Sequence, residues 1–334
     1  MACAKSAAVS PGRVRPRTLP SVSGRVRSQG GRRAVRRSVT RGASASGPRR
    51  LRSTPMSAIL ALLAAASWGV SDFVAGRVSQ RLSPIAVVGW SHAVVSVILT
   101  LVVVIGFRDI PSSGSWLAWS VVAGLGGAVG LLCLYAALAA APMGVVAPIS
   151  SLSATIPVLA GILVGERPEH GVWAGMAVAL VGVILVSGPQ VAARVDARPL
   201  LLAAAAAVLL GTGLVALGFA SKVSLIHTLW VMRLTSLIGY AVLALIARST
   251  GDVPRKDLVV IGAIGAGDLL ANAFFAAATS LGMLSVAAVL GSLYPVATIA
   301  LAWIVLRERL RGVQYVGVVL AMVGVALIAG LSRS

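Results

Sequence analysis

The chain has 334 residues, of which 58% are hydrophobic and 11% charged, with a mean hydropathy of +0.95. A soluble domain of this length has no use for so much apolar surface, whereas runs of about 20 apolar residues are membrane spans. The net charge of +20 and pI of 11.8 do not support nucleic-acid binding, because 14 of the 29 Lys and Arg, and none of the 9 acids, lie in residues 1–55.

Residues 1–55 are rich in Arg, Ser, Gly and Pro, hold no long apolar run, and are expected to be a disordered basic tail. Three readings of this tail stand side by side. The chain start is misassigned and Met56 is the initiator, or the tail is an organelle transit peptide, or it is a cytoplasmic arm on anionic lipid. From Ser57 onward ten apolar segments follow, at 57–76, 85–105, 116–138, 144–164, 171–189, 199–219, 227–247, 257–280, 285–305 and 312–331. Short separators carry the charges and turn residues, and hydrophobicity that is continuous, not alternating, excludes a β-barrel. The fold class is therefore an all-α integral membrane protein.

The chain also repeats itself. Glu166-Arg167 through Gly188 aligns with Glu308-Arg309 through Gly330 at an offset of 142 residues, including Gly175/Gly317 and Gly182/Gly324. Two five-helix repeats result, residues 57–189 and 199–331. Five is odd, so the second copy must sit inverted in the bilayer, which places a substrate site near the midplane between the copies. Loop charges taken alone put the N-terminus outside: the loops on that side would hold Arg108, Arg167 and Lys222, against ten Lys and Arg in the others. The basic tail argues the reverse.

Within the spans a few polar side chains stand out. Asp72 in the first span is costly in hydrocarbon and should face a polar cavity or a partner, as a cation site, a coupling-proton carrier or a hydrated group. His92 in the second span is a residue type that exchanges protons near neutral pH, although a lone buried His is commonly only hydrogen-bonded. Arg233 lies deep in the seventh span; it could pair with Asp268 or Asp72, attract an anionic substrate group, or snorkel. Asp268 and Asn272 in the eighth span share a helix face at i,i+4, as cavity lining or as helix–helix glue. Trp68, Trp90, Tyr135 and Tyr294 lie within spans and could line a pocket or simply pack. Trp116, Trp119, Trp173 and Trp230, near span ends, read as interfacial anchors. Gly126 and Gly130 permit close helix contact, and Pro148, Pro157 and Pro295 interrupt the fourth and ninth spans. The Glu-Arg pairs at 166/167 and 308/309 read as structural.

Asp72, Asp268 and Arg233 align with Leu214, Gly126 and Ser91 in the other copy, so the working residues are expected where the copies differ. Asp72, Asp268, Asn272, Arg233, Trp68, Trp90, His92 and Tyr294 form the candidate substrate or coupling site. There is no phosphate-binding loop, no metal-ligand spacing and no enzyme constellation, so no cofactor and no metal are expected. The expected partners are a small-molecule substrate, the lipid bilayer and protons, with no nucleic acid; a homodimer is left open. A membrane-integral enzyme or lipid flippase is the alternative, and a channel or scaffold a third.

Ser67-Trp68-Gly69, Pro157…Gly165-Glu166-Arg167 and Tyr294-Pro295…Arg307-Glu308-Arg309, with Gly175 and Gly317, resemble the EamA-type, ten-helix branch of the drug/metabolite transporter superfamily over residues 57–331. The resemblance implies a secondary transporter of the cell (inner) membrane with both termini cytoplasmic, exporting a small metabolite or amphipathic compound by alternating access. An organelle membrane replaces the inner membrane if the tail is a transit peptide. Asp72 departs from the family, which more often has an uncharged residue there. By analogy, the related small multidrug proteins use a first-helix carboxylate for proton and cation exchange.

Overall fold

A computed structural model of the chain describes residues 54–112, 114–141, 143–187, 196–248, 251, 253–306 and 312–331. The basic tail through residue 53, the Arg307–Arg311 segment with the second Glu-Arg pair, and the side chain of Pro148 lie outside the described residues.

Helices account for the ten expected segments. They are α1 (Pro55–Ser79), α2 (Pro84–Gly106), α3 (Ser115–Ala140), α4 (Met143–Ser151), α5 (Thr155–Leu163), α6 (His170–Ser187), α7 (Ala197–Ala220), α8 (Leu225–Ala247), α9 (Leu258–Leu281), α10 (Leu284–Gly291), α11 (Tyr294–Leu306) and α12 (Gly312–Leu331). Eight spans are long and apolar enough to cross a membrane by themselves, and two shorter apolar helical stretches complete the ten. Starts are cued locally: Pro55 and Pro84 occupy first-turn positions, where a missing N–H costs nothing, and the Thr54 hydroxyl accepts the Ser57 N–H at 3.2 Å.

The fourth and ninth spans are broken, not merely kinked. A 3₁₀ turn at Leu152–Ala154 separates α4 from α5, and Ser292-Leu293 separates α10 from α11. Proline explains both sites. Pro157 has no N–H for the Ser153 carbonyl and Pro295 none for that of Gly291, and each ring crowds the preceding turn.

The packing has twofold pseudo-symmetry. The most extensive contacts are α3 with α7, α6 with α12 and α1 with α9. Exchanging the repeats turns the α3–α7 contact into α9–α1 and returns α6–α12 to itself. Inversion follows from the helix ends. α1 begins beside the end of α9, where the Thr54 hydroxyl donates to the Leu281 carbonyl at 3.3 Å and that of Ser57 to Ala278 at 2.9 Å. The end of α7 lies there too, since Gly218 and Phe219 line one cavity with Thr279 and Gly282. α1 thus starts where its counterpart α7 finishes.

Glycine allows the closest crossings. On α6 and α12 a Cβ on Gly182 would collide with the Ala321 backbone, one on Gly324 with Ala179, and one on Gly317 with Val186. The strongest part of the sequence repeat is thus the seam on which the two copies meet. Gly126 serves the α3–α7 crossing in the same way, its Cβ position lying 2.7 Å from the Leu209 carbonyl oxygen. Trp116 differs from its expected role: it is 3% exposed, donates to the Pro111 carbonyl at 3.1 Å and packs edge-on to His227, because it lies, with Ser120 one turn on, on the buried face of α3.

Candidate functional site

A cavity lies between the repeats, lined by side chains of both. Trp68, Asp72, His92, Arg233, Asp268, Asn272 and Tyr294 all line it. They come from α1, α2, α8, α9 and the start of α11, so residues up to 226 positions apart in the chain share one space.

Its centre is an ion-pair network. Arg233 Nη2 donates to Asp268 Oδ2 at 2.6 Å, and Nη1 donates to His92 Nε2 at 3.0 Å. A guanidinium only donates, so Nε2 of His92 is the acceptor and the ring proton sits on Nδ1. Asp268 Oδ1 accepts from Trp68 Nε1 and from Asn272 Nδ2, each at 3.2 Å, and Asn272 also donates to the Asp268 carbonyl at 2.7 Å. Arg233 is 2% exposed and Asp268 6%. Burial on this scale is tolerable only because charge and hydrogen bonds are matched. Even so, among the described residues, Arg233 Nε and His92 Nδ1 have no hydrogen-bond partner.

Asp72 sits apart from this network. Its Oδ1 accepts the Tyr135 hydroxyl at 3.0 Å, and among the described residues no Lys, Arg or His reaches it within ion-pair distance. It is 6% exposed. The cavity therefore holds two carboxylates against one guanidinium. Tyr294 opens α11 on the other wall and its hydroxyl is 2.8 Å from that of Ser150, so the two broken spans touch across the cavity.

The local sequence positions these groups. Gly69 lets α1 press on α11: a Cβ there would lie 2.5 Å from Ala297 Cβ, and Thr298 Oγ1 donates to the Gly69 carbonyl at 3.1 Å. Trp68, next in the chain, then faces Asp268 and tilts against Phe275 at 5.8 Å between ring centroids. Trp90 is the one candidate that does not line the cavity. It precedes His92 by two residues, about 200° around a helix, and is 37% exposed on the opposite face of α2. In the sequence Tyr135 reads only as one of several span aromatics. Its bond to Asp72 crosses 63 residues and depends on how α3 turns toward α1, which no local pattern records.

Ten helices in two inverted five-helix repeats, with broken spans and buried charges at the cavity between them, define a membrane transporter architecture. The EamA-like transporter family matches residues 55–188 and again 197–330, two segments related by the 142-residue offset, and this chain belongs to that family. It is a multi-pass membrane transporter of the drug/metabolite type. A solved structure described only as "Crystal structure of protein" is similar in fold, with a TM-score of 0.66 at 21% identity over 84% of this chain and 99% of that one. No curated protein sequence matches.

Proposed function

We propose that the chain is a secondary active transporter that exports a small metabolite or amphipathic compound across the cell membrane by alternating access, coupled to a proton or solute gradient. The observation that carries this reading is the division of charge in the cavity. Asp268 is neutralised by Arg233 and fixed by Trp68 and Asn272, whereas among the described residues Asp72 has a tyrosine hydroxyl and no cation within ion-pair distance. A buried carboxylate without a cation exchanges a proton or a cationic group at little structural cost, which suits the coupling role. The Arg233–Asp268–His92 network, with Trp68 and Tyr294, suits substrate binding: it offers donors, acceptors and aromatic faces in one cavity. The two repeats, carrying the broken helices α4–α5 and α10–α11, are the bodies that rock about the α6–α12 seam.

The test is proton flux in proteoliposomes with a pH dye trapped inside, after addition of a pool of small amphipathic metabolites. Asp72→Asn is expected to reduce substrate-dependent proton movement at least about a hundredfold, the lower end of the range for losing one positioned proton-transfer group. Unchanged flux in both Asp72→Asn and Asp268→Asn would sink the proton-coupling role.

A further inference from the structure

The two ends of the bundle are not held alike. At the end where α1 begins, α5 packs along α10. Toward the opposite end the counterparts α4 and α11 pack far less extensively among the described residues, meeting at the Ser150–Tyr294 hydroxyl pair at their cavity ends. The packed junction is tied by Glu166 of the first repeat. Its Oε1 accepts the Leu284 N–H at 2.6 Å and its Oε2 the Ser285 N–H at 2.9 Å. These N–H groups open α10 and have no carbonyl partner within the helix, and a carboxylate is the favoured charge at that terminus.

Glycines build this contact. Gly165, at φ +94°, ends α5 in a turn in which the Glu166 N–H bonds the Gly161 carbonyl at 2.9 Å and the Gly165 N–H that of Ile162 at 3.0 Å. The turn folds the Glu166 side chain back across α5. Gly161 makes room for it: a Cβ there would run into the Glu166 carboxylate and stand 3.3 Å from Ser285 Cβ.

The 142-residue offset identifies the corresponding positions in the other copy. Glu308 takes the place of Glu166. Yet Gly161 corresponds to Trp303, Gly165 to Arg307, and Leu284 to Pro142, which has no N–H to donate. The carboxylate is repeated in the sequence, but the two glycines and one backbone donor are not. Among the described residues, ties between the repeats at that end include the Arg81–Asp257 pair at 2.7 Å, whose arginine side chain is 52% exposed, a close approach of Gly251 to Ala86, and a bond from Gln314 to Val186 within the α6–α12 seam. An exposed ion pair contributes little.

We propose that Glu166 is a one-sided latch: it holds the transport path shut at the end where α1 begins, and its release sets how often that end opens. This rests on the alternating-access reading. The resting protein is accordingly biased toward one closure, and Glu166, with Gly161 and Gly165, is part of the transport machinery and not only scaffold.

Spin-label distances measure this without a known substrate. In a Cys3→Ser, Cys133→Ser background, labels at Leu163 and Leu281 report the latched end, and labels at Ala139 and Val305, their counterparts, report the other; all four positions are exposed. Glu166→Ala is expected to raise the ratio of open to closed distances at Leu163–Leu281 by at least about tenfold, the scale of losing hydrogen bonds to a charged group, while Ala139–Val305 shortens reciprocally. Gly161→Ala should reproduce this by displacing the carboxylate, and Glu166→Gln, with one acceptor oxygen, should lie between. Native distances at both pairs in Glu166→Ala and Gly161→Ala overturn the latch and leave the rocking of the repeats standing. Lengthening at Leu163–Leu281 with Ala139–Val305 fixed overturns the rocking of the repeats, and the latch with it.

Discussion

Replacing Arg233 with alanine is expected to destabilise the protein by about 3–5 kcal/mol, the range for removing one partner of a buried ion pair. Arg233 is among the largest fully buried side chains, and without it Asp268 loses its guanidinium and keeps, among the described residues, the hydrogen bonds of Trp68 and Asn272, with His92 Nε2 at 3.9 Å. Thermal unfolding in detergent, followed by tryptophan fluorescence, checks the size of the loss. Asp268→Ala should be as damaging, because it strands the guanidinium. The double variant Arg233→Met, Asp268→Leu should recover most of the stability, since two apolar groups of similar volume leave no unpaired charge behind. It should not recover transport. A loss below about 1 kcal/mol for Arg233→Ala would place the pair in the class of solvated surface bridges and contradict its burial.

An effect of similar size is expected on the seam between the repeats. Gly182→Leu and Gly324→Leu should each cost about 3 kcal/mol or more, because the new side chain meets backbone, which cannot rotate away as a side-chain tip can. The readout is the yield of monodisperse protein together with its melting temperature. Gly239→Ala is the control: nothing lies within 4 Å of its Cβ position, and relief of glycine's helix penalty should leave stability unchanged or raised by up to about 1 kcal/mol. Equal tolerance at the three sites would mean that α6 and α12 do not meet as closely as described, and that the repeated glycines have another purpose.

These predictions draw on features of very different legibility. The ten segments could be read off the chain because a bilayer leaves backbone groups no partner but their own helix, so each crossing must be a long apolar run. Pro157 and Pro295 marked the right spans, although a full break, with a 3₁₀ turn in one of them, needs the tertiary packing to hold it open. Seven of the eight candidate residues line a single cavity, because ionisable and aromatic groups are rare at lipid depth and have few places to go. Trp90 does not, and a helical wheel explains it only once the face of α2 that carries His92 is known. Glu166 reads from sequence as part of a structural Glu-Arg pair; that its carboxylate reaches the start of α10, 118 residues away, is invisible until the two repeats are folded together.

By itself, the sequence determined the class: a duplicated, inverted, ten-helix membrane protein with charges concentrated where the copies differ. Those properties follow from composition, segment length and an odd number of spans, all of which are local or additive. The tertiary structure alone decided the partners: Arg233 with Asp268 and His92, Tyr135 with Asp72, and Glu166 with the N–H groups of Leu284 and Ser285. The reason is physical. In a water-soluble helix, apolar periodicity shows which face turns inward. These helices are apolar all round because lipid replaces water outside, so which face meets which neighbour is set by small-residue crossings and buried hydrogen bonds, and those exist only once the helices are packed.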